Sequence, residues 1–320
     1  MTDLFLTGGI GGKKMTFSGL LVISYFMILS PVSGADLPPH ALRNIAPIAP
    51  SADFHIPGAS LTPMLLAEWE TVSRMGKTIQ IVWGKEAVDK APVTASRHQQ
   101  KTYTFPTGSI RVLDFKKDTG GMVHAITTET AIFVIKGAGR VGVAGKVIEI
   151  GEGYAVNYPS GVLRGEGDAT ILAWTTTGTL NNEASKAMVI RAGDAKINHS
   201  AEWDVNGKRI RANAPDDLAN APTDAIRLTV KRYDFPGNSV RVALSKKGGP
   251  TSPTSGILDS LIYVTSGHLR FFQGDKVIEA VPGDAIREIA GEYHHWYRIE
   301  DSSFVATSSL PIQPFTQKQP

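Results

Sequence analysis

Beyond about residue 100 the chain alternates short apolar, β-branched runs with glycine. The runs Ser109–Phe115, Ala131–Ile135, Lys146–Ile150, Tyr154–Tyr158 and Ile171–Thr175 are separated by Gly120-Gly121, Gly137-Ala138-Gly139, Gly145, Gly151-Glu152-Gly153 and Gly165-Glu166-Gly167. Short strands broken by glycine turns every eight to twelve residues or so predict an all-β sandwich or barrel. The Gly-Ala-Gly at 137–139 reads as a hairpin turn. Upstream, Met64, Leu65, Leu66, Trp69 and Val72 recur at near-helical spacing and predict a helix over Thr62–Met75. Ile79–Trp83 then reads as a strand ended by Gly84, Lys186–Ile190 as a further strand, and Ala212–Asp224 as loop.

The strand pattern occurs twice. Gly153 and Gly283 lie 130 positions apart, and at the same ungapped shift Tyr103-x-Phe105-Pro106 falls on Tyr233-x-Phe235-Pro236 and Ser109-x-Arg111-Val112 on Ser239-x-Arg241-Val242. Lys116-Lys117 meets Lys246-Lys247, and both pairs read as surface turns. Ile132, Val134, Gly137, Arg140, Lys146-Val147-Ile148-Glu149, Gly153, Ala155 and Gly161 recur identically. Chance would match only a few of these, so a module of roughly 75 to 80 residues has been duplicated.

The amino end has a different texture. Lys13-Lys14 precedes the apolar run Leu20–Leu29, and Ser33-Gly34-Ala35 supplies small residues for cleavage, the pattern of a secretory signal peptide over 1–35. Met15 is an alternative start, and an uncleaved anchor is the alternative to cleavage, although the run is short for a bilayer span. The expected location is periplasmic or secreted, with no stable membrane insertion after cleavage. The remaining divisions are a Pro- and Ala-rich leader with an N-terminal extension over 36–100, a first barrel over 101–180, a connecting segment over 181–229, a second barrel over 230–310 and a disordered tail over 311–320. The 320 residues are 42% hydrophobic and 20% charged with a net charge of +3, which gives no footing for nucleic acid. Absence of cysteine excludes disulfides and thiolate ligands.

Gly153, Pro159 and Gly161, with Gly283, Gly291 and His294 in the second copy, resemble the second motif of the cupins, G-x5-P-x-G-x2-H-x3-N. Arg164 stands at the histidine position and Asp168 at the asparagine position of the first copy; Ile289 replaces the proline and Arg298 the asparagine of the second. The first cupin motif is weaker. His124 takes its first histidine position, Ile126 the second and Thr130 the glutamate, with Glu129 one residue off; the second copy has Thr254, Gly256 and Ser260 there. The resemblance implies an all-β bicupin: two tandem cupin-type double-stranded β-helix barrels of jelly-roll type. It also implies a divalent transition metal as cofactor and pairing into a homodimer. Each copy keeps one histidine of the family's ligand set, so the metal candidates reduce to His124, Glu129 and His294.

The residues themselves point elsewhere. A guanidinium at 164 repels a cation and grips a carboxylate, so Arg164, His124 and Arg111 form a candidate anion pocket. A salt bridge from Arg164 to Glu166, Asp168 or Glu129 is the plain alternative, and Arg111 and Arg241 read most simply as exposed strand positions. In the second copy, period-two alternation puts His294, Trp296 and Arg298 on one face, where an imidazole, an indole and a guanidinium suit an acidic or sugar-like ligand; a capping cluster is the alternative. His98, His199 and His268 read as solvated. The expectation is an exported protein that binds a small acidic or sugar-like molecule. The alternatives are a cupin-type oxygenase, isomerase or lyase using His124 or His294 with other ligands, metal-free acid/base chemistry at a histidine, and a scaffold with filled pockets.

Overall fold

The computed structural model describes residues 53–73, 76–116, 124–126, 131–143, 146–157, 161–176, 188–251, 254–256 and 258–309, which fall in one compact unit. The expected signal peptide, the tail and Glu129 lie outside these residues. Among the described residues no helix is long and apolar enough to cross a membrane.

Strands dominate, as the glycine-punctuated pattern implies. The first half contains β1 (His55–Ile56), β2 (Met64–Ser73), β3 (Gly76–Trp83), α1 (Lys85–Asp89), β4 (Ser96–Phe105), β5 (Gly108–Phe115), β6 (His124–Ile126), β7 (Ala131–Val143), β8 (Lys146–Gly151), β9 (Ala155–Asn157) and β10 (Gly161–Thr176). The second contains β11 (Met188–Ile190), β12 (Lys196–Val205), β13 (Lys208–Ala212), α2 (Pro215–Ala219), β14 (Ile226–Phe235), β15 (Asn238–Ser245), β16 (Gly248–Pro250), β17 (Thr254–Ser255), β18 (Ser260–Ser266), β19 (Leu269–Gln273), β20 (Lys276–Ala280), β21 (Ala285–Glu288), β22 (Tyr293–Arg298) and β23 (Ser302–Ser309). All ladders are antiparallel. A ten-stranded sheet runs β11-β9-β7-β10-β5-β4-β2-β3, with β6 on β10 and β8 on β7. An eight-stranded sheet runs β1-β21-β18-β23-β15-β14-β12-β13, and a five-stranded sheet runs β16-β22-β19-β20 with β17 on β22.

Each half lends its opening strand to the other. Ile56 of β1 pairs with Ala285 of β21, and Ile190 of β11 pairs with Ala155 of β9. The shared face is symmetric as well: Tyr103 meets Tyr263 and Phe133 meets Tyr233 edge to face, both at 69°. The Tyr103 hydroxyl donates to the Gly283 carbonyl at 2.6 Å. These rings belong to a core that joins the halves, while Leu113, Ile132, Val134 and Leu163 form the interior of the first half and Ile262, Phe271, Ile286 and Trp296 that of the second. Asp284 fastens β1 by accepting from the Gly58 N–H at 2.8 Å and pairing with His55 Nε2 at 3.3 Å.

Three local expectations are corrected. The stretch expected as a helix over Thr62–Met75 is strand β2. Leu66 and Glu68 face the first-half interior, while Leu65, Ala67 and Trp69 pack on α1, so both faces are covered and apolar residues of both parities mimic a helical period. The Gly137-Ala138-Gly139 "turn" lies inside β7. There Gly137 at φ 81° opposes the Asp168 carbonyl, only 2.5 Å from where a Cβ would be, and lets the strand bend. Part of the expected loop 212–224 is the short helix α2.

The repeat is also longer than the ungapped match. Ala67-Glu68-Trp69 and Ala201-Glu202-Trp203 occupy the same register, Glu68 opposite Ser96 and Glu202 opposite Ile226. They escape the 130-residue shift because the β2–β3 hairpin is four residues longer than β12–β13, as Glu68↔Ile81 and Glu202↔Arg211 show. Trp69 packs beside α1 and Trp203 beside α2. In each half an arginine ties the short helix to the sheet: Arg97 donates to the Ala91 carbonyl at 3.0 Å, and Arg227 to the Leu218 and Ala221 carbonyls at 3.2 and 3.1 Å.

Candidate ligand-binding site

In the second half, β22 presents His294, Trp296 and Arg298 to the interior, with 7%, 6% and 2% exposure, and turns Tyr293 and Tyr297 outward. Phe271 lies 4.3 Å from the indole and 5.9 Å from the imidazole, ring centre to centre, and Phe304 stacks on Trp296 at 4.9 Å. Trp296 therefore separates two polar ends. At one end Arg298 donates to Ser245 Oγ at 3.0 Å and to the Trp296 carbonyl at 3.3 Å. Burial pulls its pKa down to about 10, with Glu202 opposing. That guanidinium is committed to the protein.

The other end is a chain of side chains drawn from both sheets. Thr254 Oγ1 lies 3.2 Å from His294 Nε2, and Glu288 Oε1 lies 3.2 Å from the same nitrogen. Glu288 Oε2 is 4.0 Å from an Arg241 guanidinium nitrogen, which donates to Ser260 Oγ at 2.9 Å. Gln273 stands beside His294 in register and accepts the Ile289 N–H at 2.9 Å. Among the described residues, Arg241 Nε, Gln273 Nε2 and His294 Nδ1 are buried without a hydrogen-bond partner. Contrary to the exposed position that the sequence suggests for Arg241, its strand neighbours Val240 and Val242 pack on the core between the halves, which turns Arg241 inward. Thr254 and His294 meet at the imidazole beside Glu288, and Ser260 meets the Arg241 guanidinium.

The first half holds a different charged group. Arg111 shares the parity of Leu113 and Phe115 and faces the interior, again contrary to the exposed reading. Glu68 and His98 lie beside it with no side-chain exposure, 4.0 Å apart, and the His98 ring rests 5.3 Å from Phe115. Burial pushes the Glu68 carboxyl up to about 8, against the pull of Arg111, and pushes the His98 imidazole down to about 4, helped by Arg111. Burial also lowers Arg111 to about 10, with Glu68 opposing. His98 is thus a core residue, not a solvated one.

The remaining candidates are dispersed. Leu163 faces the first-half interior and Gly165 packs against Phe115, so Arg164 between them points to the opposite face, opposite Arg140 in register. Glu166 pairs with Arg140 at 2.7 Å. His124 is placed by its backbone alone, opposite Leu163. Among the described residues no three His, Cys, Asp or Glu side chains are placed to hold a metal. The second-half set of one imidazole, one carboxylate, two hydroxyls and a guanidinium does not suit a divalent cation.

No family model matches the chain and no curated protein matches its sequence. Among solved structures, a protein of Pseudomonas aeruginosa described as glyoxylate induced aligns over 86% of this chain and 96% of its own, with 13% identity and a TM-score of 0.51. YlbA from E. coli aligns over 68% of this chain and 84% of its own, with 11% identity and a TM-score of 0.48. A variant of Bacillus subtilis oxalate decarboxylase aligns over 82% and 78%, with 11% identity and a TM-score of 0.48. The chain shares its overall fold with the Pseudomonas protein. At this identity the likeness concerns the fold alone, and the chemistry rests on the side chains.

Proposed function

We propose that this chain is an exported bicupin that binds a small acidic or sugar-like molecule inside its second half, at Arg241 and His294. The supporting observation is three buried nitrogens without a partner in the second half, Arg241 Nε and Gln273 Nε2, which are donors, and His294 Nδ1, which donates when the imidazole carries both protons, beside an aromatic wall. A buried N–H left unmade costs about 1–3 kcal/mol, and a ligand carboxylate would relieve that cost with charge-assisted bonds. Glu288 and Thr254 hold the imidazole from its Nε2 side, so Nδ1 is the edge offered to a ligand. Phe271 and Trp296 would pack on the ligand's carbon skeleton.

Calorimetric titration with butyrate and glucuronate tests this reading. Binding should weaken at least tenfold in Arg241→Ala and be unchanged in Arg164→Ala, whose side chain points away. Equal affinity in wild type and Arg241→Ala would refute it. A second reading, proton transfer by His294, is favoured by the 3.2 Å Glu288–His294 pair, the arrangement of an imidazole oriented by a carboxylate. Deuterium uptake from D2O into a bound acid, lost in His294→Gln, would support that activity.

A further inference from the structure

The register of the eight-stranded sheet sets Arg232 directly opposite Arg241. The same row continues through Ala306 to Ile262, both members of the second-half core, so the two arginines share the inward face. Like charges on directly opposed strand positions repel one another. Counter-charge is present but offset to either side: Asp234 holds Arg232 at 3.1 Å and Lys196 at 3.2 Å, while Glu288 reaches Arg241 at 4.0 Å and is shared with His294. Lys196, Arg232 and Arg241 against Asp234 and Glu288 leave this end with one positive charge in excess, before any proton on His294. Both guanidinium groups are partly open, at 41% and 34% side-chain exposure, yet the Nε of each is buried without a partner. The corresponding position in the first half is Thr102, opposite Arg111. The paired arginine therefore belongs to the second half and is not needed to build the shared framework.

Resting on the reading that the Arg241–His294 end takes an acid, we infer that Arg232 makes this site selective for molecules with two acidic groups. One carboxylate lies on Arg241 and His294, and the second on the more exposed Arg232. Directly opposed strand residues are about 5 Å apart at Cα, so the two acidic groups must be separated by a comparable distance. A four- or five-carbon dicarboxylate has that reach, whereas two adjacent carboxylates do not. Arg232 is a specificity residue in this scheme, and a charge-assisted pair of this kind corresponds to roughly ten- to hundredfold in affinity.

Calorimetric titration of the full chain with glutarate, succinate and butyrate decides the matter, using wild type, Arg232→Gln, Arg232→Lys and Arg241→Gln. Glutarate or succinate should bind wild type at least tenfold more tightly than butyrate. Arg232→Gln should erase that preference, weakening glutarate and succinate at least tenfold more than butyrate, Arg232→Lys should retain part of it, and Arg241→Gln should weaken all three acids. Glutarate and succinate binding no tighter than butyrate, or an Arg232→Gln variant that loses butyrate equally, overturns the two-acid assignment while leaving the acid site standing. Failure of every acid to bind overturns both.

Discussion

Replacing Glu68 with glutamine should change how stability depends on pH. In the folded chain burial keeps the Glu68 carboxyl protonated up to about pH 8, whereas the ordinary value is 4.5. Between those values the folded state holds a proton that the unfolded chain has released, so stability falls as pH rises. His98 works in the opposite sense. Its imidazole, depressed from 6.5 to about 4, makes stability rise with pH below 6.5 and contributes nothing above it. The window from 6.5 to 8 therefore isolates Glu68, and at about 1.4 kcal/mol per pH unit wild type should lose about 2 kcal/mol across it relative to Glu68→Gln. Urea unfolding at several pH values in that window, for both proteins, measures the difference. Parallel curves would refute the reasoning and mean that Arg111 keeps the carboxyl ionised inside the first half.

Other expectations follow from the packing. Arg227→Ala removes two charged-donor hydrogen bonds to the carbonyls around α2 and should cost about 1.5–3 kcal/mol in denaturant unfolding, with Arg97→Ala giving a comparable loss at α1. Gly58→Ala would place a methyl 2.2 Å from the Gly283 carbonyl oxygen; a cost of about 1–3 kcal/mol and faster amide exchange in β1 should follow. Asp284→Asn should destabilise at neutral pH. Burial alone would raise the Asp284 pKa, but hydrogen bonds from His55, Gly58 and Val281 outweigh it and hold the value below 3.8, so the mutant deficit should shrink as pH falls through that depressed value.

The duplication and the β character were legible because glycine turns and a constant 130-residue offset survive in the sequence. The alternation of His294, Trp296 and Arg298 was legible for the same reason: one side of β22 is buried and the other is not. Where both faces are covered, the pattern loses its period, and β2 looked helical. The Ala-Glu-Trp repeat was hidden by a hairpin four residues longer in the first half. Arginine inside a core contradicts the usual preference for exposure, so the inward positions of Arg111 and Arg241 needed the partition of their neighbours between two cores. Glu288 has the parity of Ile286, an alternation that signals an inward carboxylate once the strand is recognised. His98 and Glu68 carry no motif. Their association depends on register between β2 and β4, which a sequence does not display.

The most direct measurement of the binding account is a crystal structure of the chain grown with glutarate. The account predicts density for one carboxylate against Arg241 Nε and His294 Nδ1, and for the other against Arg232. Glutarate bound instead in the first half beside Arg111, or side chains closing the space between His294 and Arg241, would contradict it.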